Sequence, residues 1–200
     1  MLDDGRLVML AGLYLDSTAA QSLTGRQLRL LPVEEPDRWG HVLVLAFDGD
    51  LLQAQLLADG LAAVWPLRVP ASLPPGCAAE FARAEAAARA EGKGLWGRPG
   101  LRFEASDPQA VLARNGRFAI VEGRVESLGK ARDTRYLNFG GRWATDFTVT
   151  FSSSIEGQLA AKGMDPARME GARVRVRGVV LEKDGPHIEV ADPAQIQWAN

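Results

Sequence analysis

Apolar residues in this chain fall into short runs and alternations, with two stretches of helical spacing between them. Leu7 to Leu15 (LVMLAGLYL) is an almost unbroken apolar run behind the turn Asp3-Asp4-Gly5, and reads as a buried strand. Gln27 to Val33 reads as a second strand, Pro36 to Gly40 (PDRWG) as a turn, and His41 to Phe47 (HVLVLAF) as a third strand. Leu51 to Gly60 places Leu52, Leu56 and Leu57 on one face of a short helix that Gly60 stops. Cys77 to Glu91 (CAAEFARAEAAARAE) is built from strong helix formers and ends at Gly92. Its Glu80, Arg83, Glu85 and Arg89 read as a solvated face, with Glu85 and Arg89 spaced for an i,i+4 pair.

The second half is richer in strands. In Arg117 to Leu128 the alternation sends Ala119, Val121, Gly123 and Val125 inward and Glu122, Arg124 and Glu126 outward. Arg135 to Phe139 and Asp146 to Phe151 follow, then a helix over Ile155 to Lys162, a long strand over Gly171 to Leu181 and a last strand at His187 to Val190. Arg173, Arg175 and Arg177 point outward in this reading as a basic stripe, of the kind that either meets phosphate or keeps an exposed strand from pairing. The breakers at Gly92 to Gly100 divide the chain into a domain at 1–97, a linker at 98–116 with one helical turn at Pro108 to Arg114, and a domain at 117–200. The order of three strands, a helix and two strands suits an OB-type barrel plugged by its helix. The expected class is therefore mainly β with helices, α+β, with two OB-like β-barrels. The first is truncated and carries the long helix at its C-terminal end.

Composition narrows this picture. The formal net charge is −2, which weighs against a protein that lives on phosphate contacts. One cysteine, Cys77, excludes an intrachain disulfide and reads as half-buried at a helix start. Two distant histidines, His41 and His187, offer no zinc spacing. No run is long and apolar enough to span a membrane. Met1 to Asp4 lacks the basic and apolar regions of a leader, so a native start at Met1 implies the cytoplasm and a removed leader implies export; the sequence leaves both open.

The segments DGRLVMLAGLYLD, PDRWGH, LLQAQLLADGLAAVW and EFARAEAAARAEGKGLWG occur in the order of motifs in the staphylococcal-nuclease-like (thermonuclease) family, which the chain resembles over residues 4 to 97. Tyr136 to Gly140 (YLNFG) and Asp146 to Val149 (DFTV) resemble the OB-type domain that follows such a domain in some bacterial proteins. The resemblance implies calcium-dependent hydrolysis of DNA or RNA by a carboxylate cluster, a glutamate base and two arginines, the groups that offset the charge growing on the phosphate.

Residue by residue, that machinery is replaced. Met9 and His41 stand at the arginine positions, Tyr14 at a metal aspartate and Ser17 at the glutamate; a further metal aspartate belongs to a stretch before this sequence. The resemblance thus implies a degenerate, catalytically inactive member with no metal site and no cofactor, acting as a nucleic-acid-binding or protein-scaffold module. The alternative is an active calcium-dependent endonuclease. The family's first two strands have no counterpart in this sequence, so an open first barrel is expected: either another segment or a protein partner completes it, or the sequence is a processed or trimmed product. For the second domain, the candidate single-stranded nucleic-acid patch is Arg124, Lys130, Arg132, Arg135, Tyr136, Asn138, Arg142 and Trp143, aromatics for stacking and cations for phosphate.

Overall fold

The computed structural model describes residues 7–142 and 144–199 and divides into two units, Met1–Pro99 and Gly100–Asn200. The expected turn at Asp3 to Gly5 lies outside the described residues. The fold is mixed α+β, sheet-rich with few helices.

In the first unit the apolar run at 7–15 becomes two short strands, β1 (Leu7–Leu10) and β2 (Leu13–Leu15), rather than one. Gly12 makes the break: its φ is +75°, and its N–H donates to the Arg68 carbonyl at 2.6 Å. A five-residue helix α1 (Ser17–Gln21) follows, capped by the Asp16 carboxylate on Ala19 N at 2.8 Å. Next come β3 (Arg29–Pro32), β4 (His41–Asp48), β5 (Asp50–Leu51), α2 (Leu52–Ala58), β6 (Ala62–Val64) and α3 (Cys77–Ala90). β4 sits centrally, parallel to β1 and antiparallel to β3 and β5; β2 pairs antiparallel with β6.

Two polar side chains tie the helices to the strands. Gln53 of α2 is fully buried, donates to the Val44 carbonyl at 2.9 Å and accepts from Ala46 N at 3.1 Å. Glu85 of α3, expected on a solvated face, is buried beside Phe81 and Ala88 and accepts from Val64 N at 2.7 Å. The carboxylate satisfies a backbone donor that the short strand β6 would otherwise bury unpaired. Gly60 and Gly94 touch backbone to backbone, Leu95 N donating to Gly60 O at 2.8 Å, and a Cβ on either glycine would run into the other's loop.

In the second unit, 98–116 is more than a connector. β7 (Arg102–Glu104) pairs with β8 (Phe118–Arg124), and α4 (Pro108–Leu112), capped by Asp107 on Ala110 N, buries Val111. The strands β9 (Ser127–Ala131), β10 (Thr134–Asn138) and β11 (Thr148–Ser152) form a meander. The helix α5 (Ser153–Ala161), β12 (Arg173–Val179), β13 (Leu181–Glu182), β14 (Pro186–Val190) and β15 (Ile196–Trp198) complete the unit. One sheet runs β13-β14-β11-β10-β9, with β11 and β14 parallel; the other runs β15-β12-β8-β7. Among the described residues no sheet closes on itself, so the closed barrels expected from sequence are not observed as such.

The expected one-sided alternation of β8 is corrected: Phe118, Ala119, Ile120 and Val121 are all buried, so both faces of the strand are covered there. Glu122 is buried with them, and so are Arg175 and Arg177 of the presumed outward stripe. Glu122 and Arg175 face each other in register, with Arg175 Nε donating to Glu122 Oε1 at 2.6 Å. Arg177 Nη2 donates to Gln197 Oε1 at 3.3 Å. Only Arg173 stays exposed, paired with Glu104 at 2.7 Å. The stripe is thus one buried ion pair at Arg175, one buried hydrogen bond to a glutamine at Arg177 and one exposed pair at Arg173, rather than a basic face.

Candidate functional sites

The four residues singled out by the expected resemblance, Met9, Tyr14, Ser17 and His41, do not form one cluster of chemistry. Met9 lies on β1 and Tyr14 on β2; both line a groove, and the Tyr14 ring lies 6.4 Å from that of Trp65. Ser17 opens α1 and is exposed. His41 opens β4 at the far end of the PDRWG turn, where Asp37 organises the backbone. Its carboxylate accepts from Trp39 N and His41 N, both at 2.9 Å, and meets His41 Nδ1 at 2.9 Å. Desolvation pushes the Asp37 carboxyl up, but the hydrogen bonds from the His41 ring and the two amides outweigh it and hold the group below its ordinary value. His41 is therefore a turn residue engaged by its own aspartate.

Asp16, the carboxylate adjacent in sequence to Tyr14 and Ser17, caps α1 and pairs with Arg98 at 2.5 Å. Among the described residues no group of three or more His, Cys, Asp or Glu side chains is arranged to hold a metal ion. Cys77 is partly buried at the first residue of α3, and burial, with Glu80 beside it, pushes its thiol pKa up, away from the reactive thiolate.

The eight-residue patch proposed on the second unit also separates. Tyr136 and Asn138 point away from the core residue Leu137 on β10, opposite Thr150 and Thr148 of β11. Arg135 alternates to the other face, where Glu156 of α5 accepts from its Nε at 3.0 Å and from its Nη2. Lys130 meets the same carboxylate at 3.4 Å. The Arg135 hydrogen bond is the main reason Glu156 is held below the ordinary carboxylate range. Arg132 occupies the tight β9–β10 turn with φ +54°. Arg142 is exposed beside Asp146, which accepts from its backbone N–H at 2.7 Å. Arg124 is exposed at the end of β8, opposite Arg173. Trp143 lies outside the described residues. The aromatic and the cations are thus divided between two faces, and two of the cations share one glutamate.

Sequence reasoning missed two features. One is His187 of β14, which is buried with its Nε2 2.9 Å from Thr150 Oγ1; burial, reinforced by Lys183, lowers its pKa. The other is the groove. It has a volume of about 920 Å³, lies in the first unit, and is lined by apolar side chains including Val8, Leu10, Leu13, Leu15, Leu23, Leu28 and Leu30, with Tyr14, Trp65, Arg26 and Arg68 among them. That volume is near the top of the roughly 300–1,000 Å³ typical of ligand clefts. β1 runs along it and, among the described residues, has a neighbouring strand on one edge only. The one sequence signal for the groove was the expectation of an open first barrel; its arginines were not signalled by any periodicity. No helix among the described residues is long and apolar enough to cross a membrane.

Comparison with protein-family models and with curated proteins finds no match to this chain.

Proposed function

We propose that this protein is a catalytically inactive relative of the thermonuclease-like family whose first unit binds an extended polypeptide, and whose second unit is an OB-type barrel serving as a rigid support. The observation that carries the reading is the edge of β1 that, among the described residues, has no neighbouring strand, beside an apolar groove. A free strand edge offers unpaired N–H and C=O groups, and an added strand satisfies them while its alternate side chains fill the groove. Leu10, Leu15, Leu23, Leu28 and Leu30 pack against the core yet remain partly exposed there, as expected of a core that lacks its cover.

OB-type connectivity in the second unit is supported by three features. β8 and β9 follow one another as a bent strand shared between the two sheets; α5 lies between β11 and β12; and β11 pairs in parallel with β14. Loss of nuclease chemistry is supported by Met9, Tyr14, Ser17 and His41, which supply neither guanidinium nor carboxylate to a phosphodiester. Nucleic-acid binding gains little from the second unit, whose Lys130 and Arg135 share the single charge of Glu156 and keep a net charge of only about +1 between the three.

The test is an NMR titration of isotope-labelled full-length protein with an octapeptide alternating valine and threonine. Shifts and slowed amide exchange centred on Leu7 to Leu10 are expected. Shifts confined to the second unit on adding single-stranded DNA, with a steep salt dependence, would overturn the protein-binding reading. Calcium-dependent nicking of a supercoiled plasmid would overturn the claim of inactivity.

A further inference from the structure

The groove of the first unit holds two guanidinium groups and no carboxylate. Arg26 is paired with Asp48. Arg68 has no carboxylate partner among the described residues; its guanidinium carbon sits 4.0 Å from the centroid of the Trp65 ring. The side chain is half-buried, and desolvation lowers its pKa, with no opposite charge among the described residues to offset the cost. Its backbone is fixed independently of its side chain, since the Arg68 carbonyl accepts from Gly12 N and its N–H donates to the Trp65 carbonyl at 2.9 Å. Stacking on the indole holds the guanidinium plane and leaves its N–H edge available, the arrangement that suits a bidentate bond to a carboxylate.

We infer that the strand bound along β1 is acidic: it carries an aspartate or glutamate whose carboxylate pairs with Arg68, while its apolar side chains enter the groove. This rests on the strand-addition reading above and adds the chemistry of the partner. A positive groove in a chain of net charge −2 selects for such a segment by charge, and the apolar lining rewards alternation. A fatty acid would also offer a carboxylate and an apolar tail, but it would leave the backbone groups along β1 without partners, so the polypeptide is favoured.

The experiment uses full-length protein and acetylated, amidated nonapeptides alternating valine and threonine, with one glutamate stepped through the threonine positions. A matched set carries glutamine instead. Affinities are measured by calorimetry against the native protein, Arg68→Gln and Arg68→Lys, each checked for folding by circular dichroism. At one register, the glutamate peptide is expected to bind about tenfold or more tighter than its glutamine twin, the range of a charged hydrogen bond. The advantage should vanish in Arg68→Gln and return in part in Arg68→Lys. Equal binding of the two sets at every register would overturn the acidic partner and leave strand addition standing. No binding by either set would overturn both, and tight binding of oleate with no peptide binding would replace the polypeptide with a lipid. If Arg68→Gln does not fold, the glutamate-to-glutamine comparison on native protein and on Arg68→Lys still decides.

Discussion

Each unit has two consecutive short strands, β1 and β2 in one and β8 and β9 in the other, and the leading strands differ in what flanks them. β8 lies between β7 and β12, while β9 is an edge strand that pairs with β10 alone. Among the described residues β1 has only β4 beside it and β2 only β6. The consequence reaches the cores. In the second unit only Phe103, Leu128 and Met164 are partly exposed among the side chains packed on the core, whereas in the first Leu10, Leu15, Leu23, Leu28 and Leu30 are among many. Among the described residues, the core of the first unit thus presents part of its apolar packing as a surface.

The largest expected effect tests that contrast directly. Phe147→Ala, at a fully buried site against Phe139 (ring centroids 5.0 Å apart), should cost about 3–5 kcal/mol. Leu30→Ala, on the groove, should cost no more than about 1 kcal/mol, since its side chain is already partly solvated. Urea unfolding followed by circular dichroism measures both, and equal losses would erase the distinction between the units.

A slightly smaller contrast lies within the second unit. Glu122→Gln leaves the buried Arg175 without its counter-charge and should cost about 3 kcal/mol. Glu104→Gln breaks the exposed pair with Arg173 and should cost about 0.5 kcal/mol or less. In the first unit, Gln53→Leu removes the acceptor of the Ala46 amide inside the core, while the Val44 carbonyl keeps its bond from Ala11 N, and should cost about 2 kcal/mol. If Gln53→Leu is neutral in the same urea titration, α2 is not pinning β4 in the way described.

The smallest effect is a pH dependence confined to the second unit. The folded-state pKa of His187 lies below its ordinary 6.5, so the unfolded chain takes up a proton before the folded one does. Stability should be flat above pH 6.5 and fall as the pH drops below it, by at most about 1.4 kcal/mol per pH unit. Chemical denaturation between pH 5 and 8 should show this slope in native protein and lose it in His187→Gln.

Long, strongly patterned elements were legible in the sequence. The helix at Cys77 and the strands at His41 and Arg173 lie within a residue or two of their expected ends. Elements of three to five residues, α1, β6, β7 and β15, carry too little pattern to stand out from loops. The candidate sites were read less well for a different reason. Alternation says which side chains share a face and nothing about what lies over that face, so Arg175 and Arg177 were taken for surface when a neighbouring strand and the two glutamines, Gln195 and Gln197, enclose them. The cations at Lys130 and Arg135 looked available because their partner, Glu156, lies on a helix more than twenty residues away.

The arginines of β12 raise a problem of alignment during folding. Because Arg173, Arg175 and Arg177 recur every second residue, sliding β12 by two positions against β8 still puts an arginine opposite Glu122 and keeps every side chain on its proper face. Ion pairing alone cannot distinguish the native alignment from these neighbours. A glycine can. Gly178 of β12 lies where a Cβ would come within 2.7 Å of Ile188 Cγ2 of β14. After a two-residue slide, Val176 or Val180 would fall where only a hydrogen fits. Misaligned chains can therefore pair their charges but cannot seat β14, and the alignment of β12 is checked by its one residue that has no side chain.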